Sequence, residues 1–293
     1  MASQVNHFKE FATQADYEAY IQPDDYAKPL VALIDATGTV EFPQGGGGGG
    51  GTTGNPILTS VDVADFTGTT FKEGVKYITG VTIPSGVTAL GANAFYHFPF
   101  SSFTIPSGVT SIGDYAFYEC TSLTSVSFPS TFSTWGSAVF YGCTALTSVD
   151  LSGTSVTSIG TSAFNVCTSL TSVTFPSALT IINDRAFYGC TALTSVDLSG
   201  TSLTTVNQGA FYTSKNYTTI DLPSTVTSIG KDAFRSQKYL TLTVRATTPP
   251  SLGNSAIEST VSAIYVPAAS VETYKTTSGW STYASKIQAI PSA

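Results

Sequence analysis

Apolar and polar positions recur with one period along most of this chain. The stretches "VTIPSGVTALGANAF", "FTIPSGVTSIGDYAF", "VTFPSALTIINDRAF" and "IDLPSTVTSIGKDAF" superimpose without gaps. The aromatic of the "AF" element falls at Phe95, Phe117, Phe140, Phe164, Phe187, Phe211 and Phe234, with Ile257 next, in steps of 22 to 24 residues. A second apolar column runs through Ile83, Ile105, Phe128, Leu151, Phe175, Leu198, Leu222, Val244 and Val266. A fixed period of this length marks a chain of stacked coils, each burying its apolar face only against its neighbours.

Within one coil, "LTSVSFP" places Leu123, Val126 and Phe128 in an L-x-x-V-x-F spacing, which "LTSVDLS" and "YTTIDLP" repeat. That spacing predicts one short strand per turn, closed by Pro129, Pro176 or Pro223, which cannot donate to a continuing ladder. "VTSIG" predicts a second extended run, and the "AF" Phe plugs the coil interior. Where the step is 24 residues, "SGTS" replaces "PS" and reads as a surface loop. About 23 residues leave no room for a full helix. The expected fold is therefore a mainly β solenoid of about nine turns, roughly 40 Å long at ~4.8 Å per strand. "AIYVP" predicts the last strand, and Val271, Tyr274, Trp280, Tyr283 and Ile287 then offer an apolar face to cover the open end.

The period "TSIGxxAFxxCTSLTSVxFP" resembles the BspA-like leucine-rich repeats of surface and adhesive proteins of gut and oral anaerobes and of some of their phages and parasites, over residues ~57–293. The resemblance implies binding rather than catalysis and identifies no ligand.

Composition narrows the partners. Only 11% of the 293 residues are charged, and the net charge is −7. Residues 1–44 hold seven acids against Lys9 and Lys28, a net of −5, which leaves −2 for the rest. With no basic patch, nucleic acid and anionic membrane are poor candidates. No run approaches the ~20 apolar residues of a membrane span, and the first twenty residues lack the apolar core of a secretory signal. The expectation is a soluble protein made in a cytoplasm.

The head is a different kind of sequence. In residues 1–44, Thr13 and Asp16 are candidate caps of a short helix through "DYEAYI", and "KPLVALIDATGTVEF" reads as a β-hairpin. The pattern resembles N-terminal attachment segments of virion and tail proteins from phages of gut anaerobes. Seven consecutive glycines follow, within residues 45–54, and offer nothing to bury. The expected organisation is an attachment or oligomerisation segment at 1–44, a poly-Gly linker at 45–54, the array at 55–246 and a terminal repeat with cap at 247–293. Three side-chain-free strands could pack at a crowded axis, so a homotrimer is one possible assembly.

Candidate chemistry is sparse. Cys120, Cys143, Cys167 and Cys190 each stand three residues after the "AF" Phe. They form one column, too linear for tetrahedral zinc and too parallel for easy bridging, and read as a buried reduced ladder. His97, in "FYHFPF", has no partners in sequence for nucleophilic catalysis and reads as a loop residue. Asp150, Asp197 and Asp221 share one outward strand position, where exposed carboxylates are usually solvated; a cation is the sharper alternative. One column suits binding: Tyr96, Tyr118, Tyr141, Tyr188 and Tyr212 follow the buried Phe, interrupted by Asn165 and Arg235. Tyrosine offers a large amphipathic surface at low entropic cost, which fits glycans or neutral protein epitopes; equally, the rings could simply shield the coil edge.

The expected function is therefore non-enzymatic, without metal or cofactor. The first reading is a phage fibre or decoration protein on the virion surface. Residues 1–44 would contact a virion structural protein, and the array a host-surface glycan or protein. The alternative is a bacterial surface adhesin or an intracellular interaction module.

Overall fold

The computed structural model describes residues 33–34, 39–41, 57–58, 80–83, 87–98, 101–213, 219–235 and 240–292. The expected helix through "DYEAYI" and the glycine run lie outside these residues. The chain is a mainly β, parallel-strand solenoid of about eight turns with the expected period.

Each turn contributes one strand to each of two parallel columns. In the first, Ser102–Thr104, Ser125–Ser127, Ser148–Asp150 and Ser172–Thr174 pair in series. Ser195–Asp197, Thr219–Leu222, Thr241–Val244 and Ala263–Val266 continue it as a second sheet. These strands carry the L-x-x-V-x-F spacing, so their middle residue points inward and its neighbours outward, as the period of two requires. The second column runs from Ala89–Leu90 through Ser111–Ile112 to Thr134–Trp135, and resumes from Ser158–Ile159 to Ser251–Leu252. Its break follows Trp135, which stands where the other turns place Leu, Ile or Val. The indole lies edge-on to Phe132 at 4.8 Å and to Phe164 of the next turn at 5.6 Å. Its N–H has no hydrogen-bond partner among the described residues.

The third side of the coil is a chain of tight turns centred on the plug. The residues two before and two after each Phe from Phe95 to Phe211 adopt left-handed backbone, for example Tyr115 and Glu119 around Phe117, or Ser162 and Val166 around Phe164. This alternation aims every second N–H at the next turn. From Phe95 to Phe234, each plug N–H donates to the carbonyl before the next plug at 2.7–2.9 Å. The plug side chains stack face to face beneath, as with Phe140 on Phe164 at 5.5 Å and Phe164 on Phe187 at 5.3 Å. The backbone is thus satisfied between turns on all three sides, with no helix needed.

Much of the Ser and Thr content is structural. Thr124, Thr147 and Thr171 each donate a hydroxyl to the carbonyl one turn back, at 2.8, 3.1 and 2.9 Å. Their own N–H groups bond the same carbonyls, so each of these oxygens is doubly satisfied. Thr180, Thr204 and Thr227 repeat the device beside the second column.

Both ends differ from the expectation in detail. Leu33–Ile34 pairs antiparallel with Thr39–Glu41, the hairpin read from "VALIDATGTVEF". Thr39–Glu41 also pairs in parallel with Gly80–Thr82 in a separate three-stranded sheet, and Ile57–Leu58 pairs with Ala89–Leu90 and extends the second column. At the other end Tyr274 and Trp280 are fully buried over the last coil. Tyr274 donates to Ala246 O and Trp280 to Pro250 O, both at 2.8 Å, which locks the cap by its polar tips. The final strand is not Ala263–Val266: after the cap the chain returns as Ile287–Ala289, paired in parallel beside it. That return lacks the repeat signature and was illegible in the pattern, although its Ile287 is buried as expected.

Candidate binding surface on the turn face

The cysteine column is real, unbridged and fully buried. Each thiol donates to the carbonyl of the plug Phe one turn back: Cys120 to Phe95, Cys143 to Phe117, Cys167 to Phe140 and Cys190 to Phe164, at 3.0–3.1 Å. Cysteine is therefore a small apolar filler with a weak donor aimed at an otherwise underused acceptor. Burial pushes the thiols of Cys120, Cys167 and Cys190 above their usual range. Because the folded values are raised, the stability they report is fully present below the unfolded thiol value of ~8.5 and falls as pH climbs through the folded values. Urea titrations from pH 7 to 10 should show a loss steepening above about pH 8.5, by up to ~1.4 kcal/mol per pH unit for each thiol. A flat profile would contradict the buried ladder.

Each carboxylate of the aspartate column has a partner from the chain itself among the described residues. Asp221 receives a bidentate bond from Arg245, Nε–Oδ1 2.8 Å and Nη2–Oδ2 2.7 Å. Asp150 accepts from Ser152 N, and Asp197 from the N–H and hydroxyl of Ser199. These hydrogen bonds hold both carboxyls below their ordinary value. The cation the column attracts is the chain's own arginine.

On the turn face, the five tyrosines share a column as two stacks. Tyr96, Tyr118 and Tyr141 are stacked nearly parallel, centroids 5.0 and 4.8 Å apart and planes within 7°. Tyr188 and Tyr212 form a second stack at 5.2 Å. His97 covers Tyr96 at 4.2 Å, while its Nε2 meets Glu119 Oε2 at 2.9 Å. Arg235 lies 6.0 Å from the Tyr212 ring. Faces cover one another at the period of the turns, so the surface offers ring edges and a row of phenol groups. Tyr96, with 37% exposure, is the most open of the five.

Three features of this face were missed from sequence. Asn165, between the stacks, is buried with its side-chain carbonyl unpartnered among the described residues. Tyr115 is exposed and lies edge-on to Tyr118 at 5.8 Å. Arg185 and Gly209 flank the second stack and line a depression of about 200 Å³ with Tyr188, Gln208, Tyr212 and Asp232. The signal was present in "NQGAF", the one turn with glycine two residues before the plug.

Stacked short coils with exposed, repeating faces define a leucine-rich repeat protein. A family model for the BspA-type leucine-rich repeat region matches in six copies over residues 65–155 and 136–262, and the chain belongs to that family. A leucine-rich repeat protein from Eubacterium ventriosum ATCC 27560 is 30% identical, with a TM-score of 0.50, over 62% of this chain and 46% of that one. The chain thus spans less than half of that protein's length. A leucine-rich repeat protein from Bacteroides ovatus ATCC 8483 is 22% identical, with a TM-score of 0.40, over 74% of this chain and 73% of that one. No curated protein matches the chain.

Proposed function

We propose that this protein is a non-enzymatic adhesion or interaction module whose turn face carries the contact. The supporting observation is the Tyr96–Tyr118–Tyr141 stack, which presents phenol edges at the interval of the turns. Burial, then the Glu119 carboxylate, raises the Tyr118 phenol above its usual value, which already lies well above neutral pH. Many such weak contacts on a rigid scaffold reward an extended ligand by avidity. Display at a bacterial surface fits the bacterial relatives. Display on a virion, with residues 1–44 docked on a structural protein or trimerised, is the narrower reading and rests on the resemblance of the head alone. Immunodetection in purified phage particles or in a cell-envelope fraction separates the two.

The test of the module is adhesion of the full chain to a mucin-coated surface. Changing Tyr118 and Tyr141 together to Phe keeps the stack and removes two hydroxyls; binding should fall about tenfold, with the melting temperature within a few degrees. Unchanged binding by that variant removes the tyrosine column as the contact.

A further inference from the structure

The depression at Gly209 has a chemistry of its own. The left-handed position two before the plug carries a side chain in the turns on either side, Arg185 and Asp232, whereas Gly209 leaves it empty. A Cβ there would meet Arg185 Cγ and Tyr212 Cβ at 3.7 Å, ordinary van der Waals contact, so a side chain would fit and the glycine is not required by packing. Arg185 bounds it along the solenoid axis on one side and Asp232 on the other, while the Tyr188–Tyr212 stack and Gln208 also line it.

Its charge runs against that of the molecule. No Lys or Arg occurs between residues 77 and 184, so Arg185 is the first cation of the regular array in a chain of net charge −7. Asp232 is already engaged by Arg235 at 3.1 Å and approached by Lys231 at 4.0 Å. Arg185 has no carboxylate within ion-pair distance among the described residues. An exposed guanidinium beside an aromatic wall is a ready fork for a carboxylate.

We propose that this depression binds one carboxylate-bearing sugar residue of an acidic glycan, with the acid group on Arg185 and ring hydroxyls donating to Asp232 and Gln208. The volume, below the ~300 Å³ at which drug-sized pockets begin, suits a single sugar unit. An acidic peptide side chain would bring only acceptors and leave Asp232 and Gln208 without a donor from the ligand. A sugar acid brings the carboxylate and the donors together. The inference rests on the binding-module reading and names a ligand class for its second stack.

The experiment is calorimetric titration of the full chain with trigalacturonate, its trimethyl ester and hexaglutamate. Wild-type protein should bind trigalacturonate, more weakly as salt rises. Arg185→Gln should weaken it about tenfold or more, the worth of a charge-assisted hydrogen bond. Gly209→Ser should do the same by filling the hole; Ser162 and Ser255 hold the equivalent place with left-handed backbone, so that fold is accommodated. The ester should bind no better to wild type than the acid does to Arg185→Gln. Equal affinity of wild type and both variants, tighter binding of hexaglutamate, or no trigalacturonate binding at millimolar concentration overturns the proposal. Retained mucin adhesion with no uronate binding defeats this inference alone, whereas loss of both defeats the module reading.

Discussion

Cys167→Asp should abolish cooperative folding of the array's centre, while Cys167→Ser should leave it folded. Cys167 is fully buried at mid-array, its thiol 3.1 Å from Phe140 O. A serine hydroxyl can make the same bond at nearly the same volume and should cost about 1–2 kcal/mol. An aspartate must either ionise beside a carbonyl oxygen or stay protonated in an apolar column, at a cost of several kcal/mol. Set against a typical domain stability of ~5–15 kcal/mol, that is enough to uncouple the two halves, because each turn is stabilised only by its neighbours. Urea denaturation followed by circular dichroism should give one transition for wild type and serine, and a split or absent one for aspartate. If the aspartate variant unfolds with wild type, the thiol column is solvent-accessible and the ladder is wrong.

Gly113→Ala should destabilise by about 3 kcal/mol, although it changes one exposed-looking "SIG" glycine by a single methyl. A Cβ at Gly113 would lie 2.6 Å from Ala92 N and 2.8 Å from Gly91 C, both backbone of the preceding turn. Neither can swing aside, so the turns must separate, lengthening the 2.8 Å bond from Gly113 N to Leu90 O. Asn183 and Asn207 hold the same column position with corresponding bonds of 3.2 and 2.9 Å, and the Asn183 side-chain amide also bonds Ile159 O. The control is Gly153→Ala, which meets nothing within 4 Å and should be neutral or slightly stabilising. Equal melting temperatures for the two variants would show that the turns are more loosely stacked than described.

The fold was legible because its information is repeated. Any one "VTSIG" is ambiguous between a strand and a turn, but the same apolar column met turn after turn admits only a stack of coils. The cysteine ladder was legible for the same reason: equal offsets from the plug put the four residues in one line. The candidate surface was legible only as an address. Sequence placed Tyr96, Tyr118, Tyr141, Tyr188 and Tyr212 in one column but not their mutual orientation: the period of the coils brings the rings to 4.8–5.2 Å and turns their edges outward. Asp221 likewise had the right place and the wrong partner, because Arg245 stands 24 residues further on and meets it only across the strand pair.

What the sequence determined by itself is the period, the parallel columns, the plug and the cap residues Tyr274 and Trp280. All of these follow from where apolar side chains must go, and burial is a property that spacing along the chain records directly. What only the tertiary structure decided is how polar groups are used. A threonine hydroxyl that bonds a carbonyl one turn back looks the same in sequence as one facing water. A glycine required by a close approach, as at Gly113, looks the same as one that leaves a hole, as at Gly209. Those choices depend on distances between successive turns, which no single turn encodes.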